Sequence, residues 1–134
     1  MTKVLVFGSF DHLHPGHLYF LLEAKRYGDE LIVVLGRSET IKEFKGKIPK
    51  YSEKERKQHL GITGIPTKIL FGEITDKYQV IERIKPDIIC LGYDQNSFTK
   101  NLKEELKKRR LKAKVIKLKP YKEHIFKSSK LKSN

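Results

Sequence analysis

Four apolar residues, Val4-Leu5-Val6-Phe7, run straight into Gly8-Ser9-Phe10-Asp11-His12-Leu13-His14-Pro15-Gly16-His17, and Leu18, Leu21, Leu22 and Ala24 then recur at helical spacing. An unbroken apolar run suits a parallel strand covered on both faces, because alternation is needed only where one face meets water. Gly8 ends that strand. Pro15 and Gly16 suit a tight entry into a helix, where the N–H that proline lacks would have no intrahelical partner anyway. The unit is strand, turn, helix, and the amides at such a helix start attract anions. His14 and His17, three residues apart, meet on one side of that entrance. From spacing alone they fit either a phosphate-binding pair or a pair that caps polar groups. A zinc site would need a further His, Cys or acid at ligand spacing, and none stands there.

The rest of the chain repeats the unit. The first helix is expected to stop near Gly28 as its C-terminal cap, before a second buried strand, Leu31-Ile32-Val33-Val34-Leu35. Residues 36–50, with lysines at 42, 45, 47 and 50, read as a mobile basic loop. Ser52-Glu53-Lys54-Glu55 fits a capping box, which starts a helix running to about Leu60 and carrying Arg56. Lys68-Ile69-Leu70-Phe71 is a further strand. A short helix carries Val80, Ile81 and Ile84 and closes before Pro86. Asp87 to Gly92 is again an apolar run ending in glycine; a helix with Leu102 and Leu106 follows, then a last short strand at Val115, Ile116 and Leu118. This alternation predicts one α/β domain over residues 1–134, doubly wound and Rossmann-like, with a parallel sheet of about five strands. Ligands of such sheets bind beyond the carboxyl ends of the strands, where Gly8 to His17 and Gly92 to Asp94 fall.

Composition narrows the class. A chain of 134 residues fits one core, and no apolar run approaches the ~20 residues of a membrane helix. The single cysteine, Cys90, sits in the run Ile88-Ile89-Cys90-Leu91 and reads as a buried, inert thiol; with no signal-peptide pattern at the start, a cytoplasmic protein is expected. The net charge is +13, and fourteen of the 29 Lys and Arg residues lie within 100–134. Such a bias can mark a nucleic-acid surface, but no interleaved aromatics or known module accompany it. A solvated basic face on a protein that handles polyanionic substrates accounts for it equally.

Gly8 to His17 resembles the G-[ST]-F-D-x-x-H-x-G-H segment of the cytidylyltransferase-like nucleotidyltransferases. The similarity continues through Gly28 to Val33, the basic segment ending in Phe44-Lys45-Gly46-Lys47, Glu55-Arg56, Lys85 to Gln95, and Phe126-Lys127-Ser128-Ser129. Within that family the basic segment and the Asp94-Gln95 block look most like archaeal FAD synthases, which transfer AMP from ATP to FMN. Glycerol-3-phosphate cytidylyltransferases, which use CTP, come next. The Arg-Tyr-Val-Asp-Glu segment of many cytidylyltransferases is absent, with Gly61 to Lys68 in its place. The cysteines that archaeal FAD synthases often carry near the Ser-Ser block are absent too.

The resemblance implies attack by an acceptor phosphate on the α-phosphorus of a nucleoside triphosphate, releasing pyrophosphate. It assigns His14 and His17 as donors to phosphate oxygens, with Lys45 and Lys47 at the leaving pyrophosphate. Gly8, Ser9, Phe10 and Gly16 would bind the nucleotide, Gly92 and Asp94 its base or ribose, and Ser128 and Ser129 a phosphate. Asp11 and Arg56 are candidates for the acceptor or a phosphate; on the residues alone, Asp11 is equally a turn aspartate and Arg56 an exposed residue on a capped helix. The resemblance further implies Mg²⁺ carried with the triphosphate, a phosphorylated small-molecule acceptor and a homodimer; the sequence pattern itself leads us to expect no membrane partner and argues against nucleic acid. A protein that keeps the pocket for binding nucleotide or nucleic acid, without turnover, is the alternative from another class.

Overall fold

In the computed structural model, residues 1–73, 76, 78–92 and 95–119 are described, with the side chains of 44, 45 and 96–100 left aside. Five strands form one sheet: β1 (Lys3–Gly8), β2 (Glu30–Leu35), β3 (Lys68–Phe71), β4 (Ile88–Leu91) and β5 (Lys114–Lys117). Their spatial order is β3-β2-β1-β4-β5, and every pairing is parallel. The helices between them are α1 (Pro15–Lys25), α2 (Ser38–Lys45), α3 (Glu53–Thr63), α4 (Gln79–Ile84) and α5 (Asn96–Lys108).

Alternate residues of each central strand feed opposite faces, as the two-residue strand period requires. Val4 and Val6 of β1 join Leu31, Val33 and Leu35 of β2, Cys90 of β4, Leu21 and Ala24 of α1 and Leu60 of α3 in one apolar layer. Leu5 joins Ile32, Val34, Ile89 and Leu91 with Val80 and Ile81 of α4 and Leu102 and Leu106 of α5 in the other. The sheet is covered on both sides, so β1 reads as a continuous apolar run rather than an alternating one. Cys90 is buried as expected, and burial pushes its thiol up to about 11. The two edge strands carry exposed lysines, Lys68 on β3 and Lys114 and Lys117 on β5, a charge that discourages pairing with another edge.

Two expectations are corrected. The first helix does not cap at Gly28: α1 stops at Lys25, and Arg26 beyond it has right-handed backbone angles. Gly28 is instead a close-approach position, where a Cβ would come within 2.7 Å of the Thr2 carbonyl oxygen. The stretch 36–50 is not a loop throughout, since residues 38–45 form α2, ended by Gly46 in the left-handed region (φ 70°). Its first amide, on Ser38, donates to Glu53 Oε2 at 2.8 Å, a cap supplied from a different helix. The α3 capping box is present in both directions between Ser52 and Glu55, and the helix runs to Thr63, past the expected Leu60.

The strand order reverses between β1 and β4, and in doubly wound sheets this is where a crevice opens beyond the carboxyl ends. Gln95 sits across it. Its Oε1 accepts the Gly92 amide at 2.8 Å, and its Nε2 donates to the Phe7 carbonyl at 3.0 Å. The ends of the two diverging strands are thereby held at a fixed separation.

Candidate active site

β1 ends in a strained turn. Phe10 has φ 45°, in the left-handed region that few bulky residues enter. Its ring is buried, 4% exposed, and meets the His17 ring edge-on with centroids 5.3 Å apart. Strain of this kind costs about 1–3 kcal/mol and persists where the surroundings over-determine it. Here the core holds the ring. The ring also lies over Gly8, where a Cβ would come within 2.6 Å of it.

His14 is the N-cap of α1, with extended backbone (φ −140°, ψ 170°) and Pro15 following at the first turn. Its Nδ1 accepts the His17 amide at 3.3 Å, and its carbonyl accepts the same amide and that of Leu18. A neutral imidazole that accepts at Nδ1 carries its proton on Nε2, which makes the outer nitrogen a donor. The His14 and His17 rings are stacked, centroids 3.7 Å apart and 22° from parallel. Gly16 between them is fitted to this arrangement, since a Cβ there would come within 2.9 Å of His14 Cε1. The pair therefore caps the helix and also presents imidazole edges beside a helix N-terminus, where anions are favoured.

Asp11 turns towards the basic segment. Its carboxylate accepts the amides of Lys50 at 2.7 Å and Tyr51 at 2.8 Å. Partial burial alone would raise its pKa, but the amides of Tyr51 and Lys50, and then the charges of Arg56 and His12, outweigh it and hold the carboxyl below its ordinary value.

Arg56 is not on the surface. It is 0% exposed, the one charged side chain fully buried among the described residues. Its Nη1 donates to the carbonyls of Ser9 (3.0 Å) and Gly36 (2.8 Å), its Nη2 to Ser38 Oγ (3.2 Å) and its Nε to the Tyr51 carbonyl (3.3 Å). Burial pulls its pKa down, and the carboxylates of Glu53 and Asp11 act in the opposite sense.

The strand ends and helix entrance thus bring together Gly8, Ser9, Phe10, Asp11, His14, Gly16 and His17, with Arg56 behind them and Gly92 beside them across Gln95. Lys45 is the last residue of α2, and Lys47 is exposed just beyond Gly46. Asp94, Ser128 and Ser129 lie outside the described residues. Sequence reasoning passed over two partners: Gln95, whose signal was its place directly after the β4 glycine block, and Glu53, which carried none beyond its place in the capping box. No group of three or more His, Cys, Asp or Glu among the described residues is placed to hold a metal ion, and no helix among them is long and apolar enough to cross a membrane.

Residues 5–134 match the family described as Cytidylyltransferase-like. The chain belongs to that family. Cytidylyltransferase-like relatives include proteins named FAD synthase from Methanosarcina barkeri, 45% identical over 88% of this chain and 84% of that protein. Those from Aciduliprofundum boonei and Thermococcus sibiricus are 42% and 40% identical, over 90% and 96% of this chain and 80% and 88% of theirs. Among crystal structures, a lipopolysaccharide core biosynthesis protein from Thermoplasma volcanium superposes with a TM-score of 0.84 at 35% identity, covering 90% of this chain and 98% of that one. A pantoate-beta-alanine ligase from Francisella tularensis shares the fold alone, with a TM-score of 0.66 at 14% identity over 98% of this chain and 67% of that one. Membership makes the cytidylyltransferase-like chain a nucleotidyltransferase, an enzyme.

Proposed function

We propose that this enzyme transfers AMP from ATP to FMN, forming FAD and releasing pyrophosphate. The observation that carries the substrate assignment is the identity of 40–45% with proteins named FAD synthase over most of both chains. The site agrees in kind. Nothing in it needs to form a covalent intermediate, because the FMN phosphate is itself the nucleophile. One of its oxygens attacks the α-phosphorus of ATP, a new P–O–P bridge forms, and the bond from the α-phosphorus to the α,β-bridging oxygen breaks.

Catalysis of such a step is positioning together with stabilisation of moving charge. His14 and His17 donate to α-phosphate oxygens. Lys45 and Lys47 meet the negative charge that collects on the departing pyrophosphate. Gly8, Ser9, Phe10 and Gly16 form the backbone edge along the nucleotide, Gly92 and Asp94 receive the base and ribose, and Ser128 and Ser129 add a phosphate contact. ATP would enter as its Mg²⁺ complex; the Asp11 carboxylate already accepts two amides and no cluster of acids or histidines among the described residues could hold a metal, so the ion would be held mainly by the triphosphate and would neutralise its charge. Residues 1–134 act as one cytoplasmic domain that works as a homodimer, without a membrane or nucleic-acid partner.

The test is a four-way assay of pyrophosphate release, ATP or CTP against FMN or glycerol 3-phosphate. Release with ATP and FMN alone is expected. Release with CTP and glycerol 3-phosphate instead would transfer the assignment to a cytidylyltransferase.

A further inference from the structure

We infer that Arg56 is a positioning residue: its buried guanidinium locks both ends of the basic segment to the catalytic turn and so sets where that segment's lysines stand. This rests on the reading of Lys45 and Lys47 as pyrophosphate contacts. The segment leaves the core at Gly36 and returns at Tyr51. Arg56 holds it at both places, through the Gly36 carbonyl and Ser38 Oγ on departure and the Tyr51 carbonyl on return. Its remaining bond goes to the Ser9 carbonyl, inside the turn that carries the histidines.

Two carboxylates brace the same two ends. Glu53 Oε2 accepts the Ser38 amide at 2.8 Å and Arg37 Nε at 3.2 Å, while Asp11 accepts the Lys50 and Tyr51 amides. These are the two acids whose charges act on Arg56. Between the braced ends lie α2, Gly46 and the exposed Lys42 and Lys47. The bracket spans a basic flap.

A buried charge is costly unless its donors are satisfied, and an apolar residue would fill the same space at less cost. What an apolar residue lacks is reach. A guanidinium offers five donors in a rigid fork and bonds three separate chain segments at once; a lysine ammonium on its flexible stem does not reproduce that geometry. Arg56 directs four of its five N–H donors to protein carbonyls and a hydroxyl, and serves the triphosphate through the flap.

Hydrogen exchange on the ligand-free protein, compared with steady-state kinetics, tests this for Arg56→Lys and Arg56→Gln. Protection of the Ser38, Lys50 and Tyr51 amides should fall by about tenfold or more while the β1 and β2 amides keep theirs. The kcat should fall about 10²-fold with a much smaller change in the KM for FMN, and lysine should not rescue it. A direct phosphate contact would leave ligand-free protection unchanged and let lysine restore most activity, and either result overturns the inference. So does loss of β1 and β2 protection in step with the flap ends, which would make Arg56 a residue of the core alone. If Arg56→Gln does not fold, Arg56→Lys carries the same readouts at Ser38, Lys50 and Tyr51. The exchange arm needs no substrate. Failure of the wild type to make FAD therefore strikes the proposed function, and an unchanged exchange pattern strikes this inference.

Discussion

The imidazole of His14 lies flat against that of His17, centroids 3.7 Å apart, and its Nδ1 accepts the His17 amide. One side chain thus finishes the helix start and fixes the tautomer that points a donor outward. The two functions can be separated by substitution.

His17→Ala should keep the fold, because the His17 amide remains to be capped by His14, and should cut kcat by about 10²–10³-fold through loss of one donor to moving charge. His14→Ala should lose a similar factor and also about 1 kcal/mol of stability with the cap. Thermal unfolding beside turnover distinguishes them. Near-normal activity in His17→Ala would remove the mechanism.

Gly16→Ala places a methyl group 2.9 Å from His14 Cε1, and a ring at the end of a side chain gives way more readily than backbone. The fold should survive with an unfolding midpoint close to wild type, since the gain from restricting the unfolded chain with alanine is offset by loss of the His14 cap as the ring moves. Turnover should fall at least about tenfold as His14 rotates away. A variant that unfolds earlier at full activity would contradict this reading.

Asp11 makes part of the stability dependent on pH. Its folded pKa lies below the ordinary 3.8, so its contribution is complete above that value and is lost as pH falls through the lower folded one. Asp11→Asn keeps one of two carboxylate-type acceptors and should cost about 1 kcal/mol at neutral pH. Unfolding midpoints of the two proteins, measured from pH 7 downward, should converge below the ordinary aspartate range. A constant gap down to the acid limit would show that the carboxylate charge is not what holds Lys50 and Tyr51.

Gln95 bridges the strand ends at the switch point, from Gly92 to Phe7. Gln95→Ala should raise the KM for ATP several-fold and lower stability by about 1 kcal/mol. Gln95→Glu should do worse, because a carboxylate oxygen then faces the Phe7 carbonyl in place of a donor. Equal kinetics in all three proteins would show that the strand separation there does not matter to nucleotide binding.

The sheet was legible because burial on both faces writes itself into sequence as unbroken apolar runs, as in Val4 to Phe7 and Ile88 to Leu91. The histidine pair was legible because three residues bring two side chains together on a helix start. What escaped depends on partners distant in sequence. The α2 helix looked like a polar loop because its cap comes from Glu53, fifteen residues after Ser38. Arg56 on a capped helix read as a phosphate or acceptor contact or as an exposed residue, because nothing local shows that Ser9, Gly36 and Tyr51 turn their carbonyls towards it. The strain at Phe10 was equally invisible, since it is imposed by the core that receives the ring.

The most direct test of the central claim follows one phosphorus atom. With ATP labelled at the α-phosphorus and unlabelled FMN, the label should pass into FAD with one unlabelled pyrophosphate released for each FAD formed. Label that stays in ATP, while α-labelled CTP passes its phosphorus to a phosphorylated alcohol, would contradict the account.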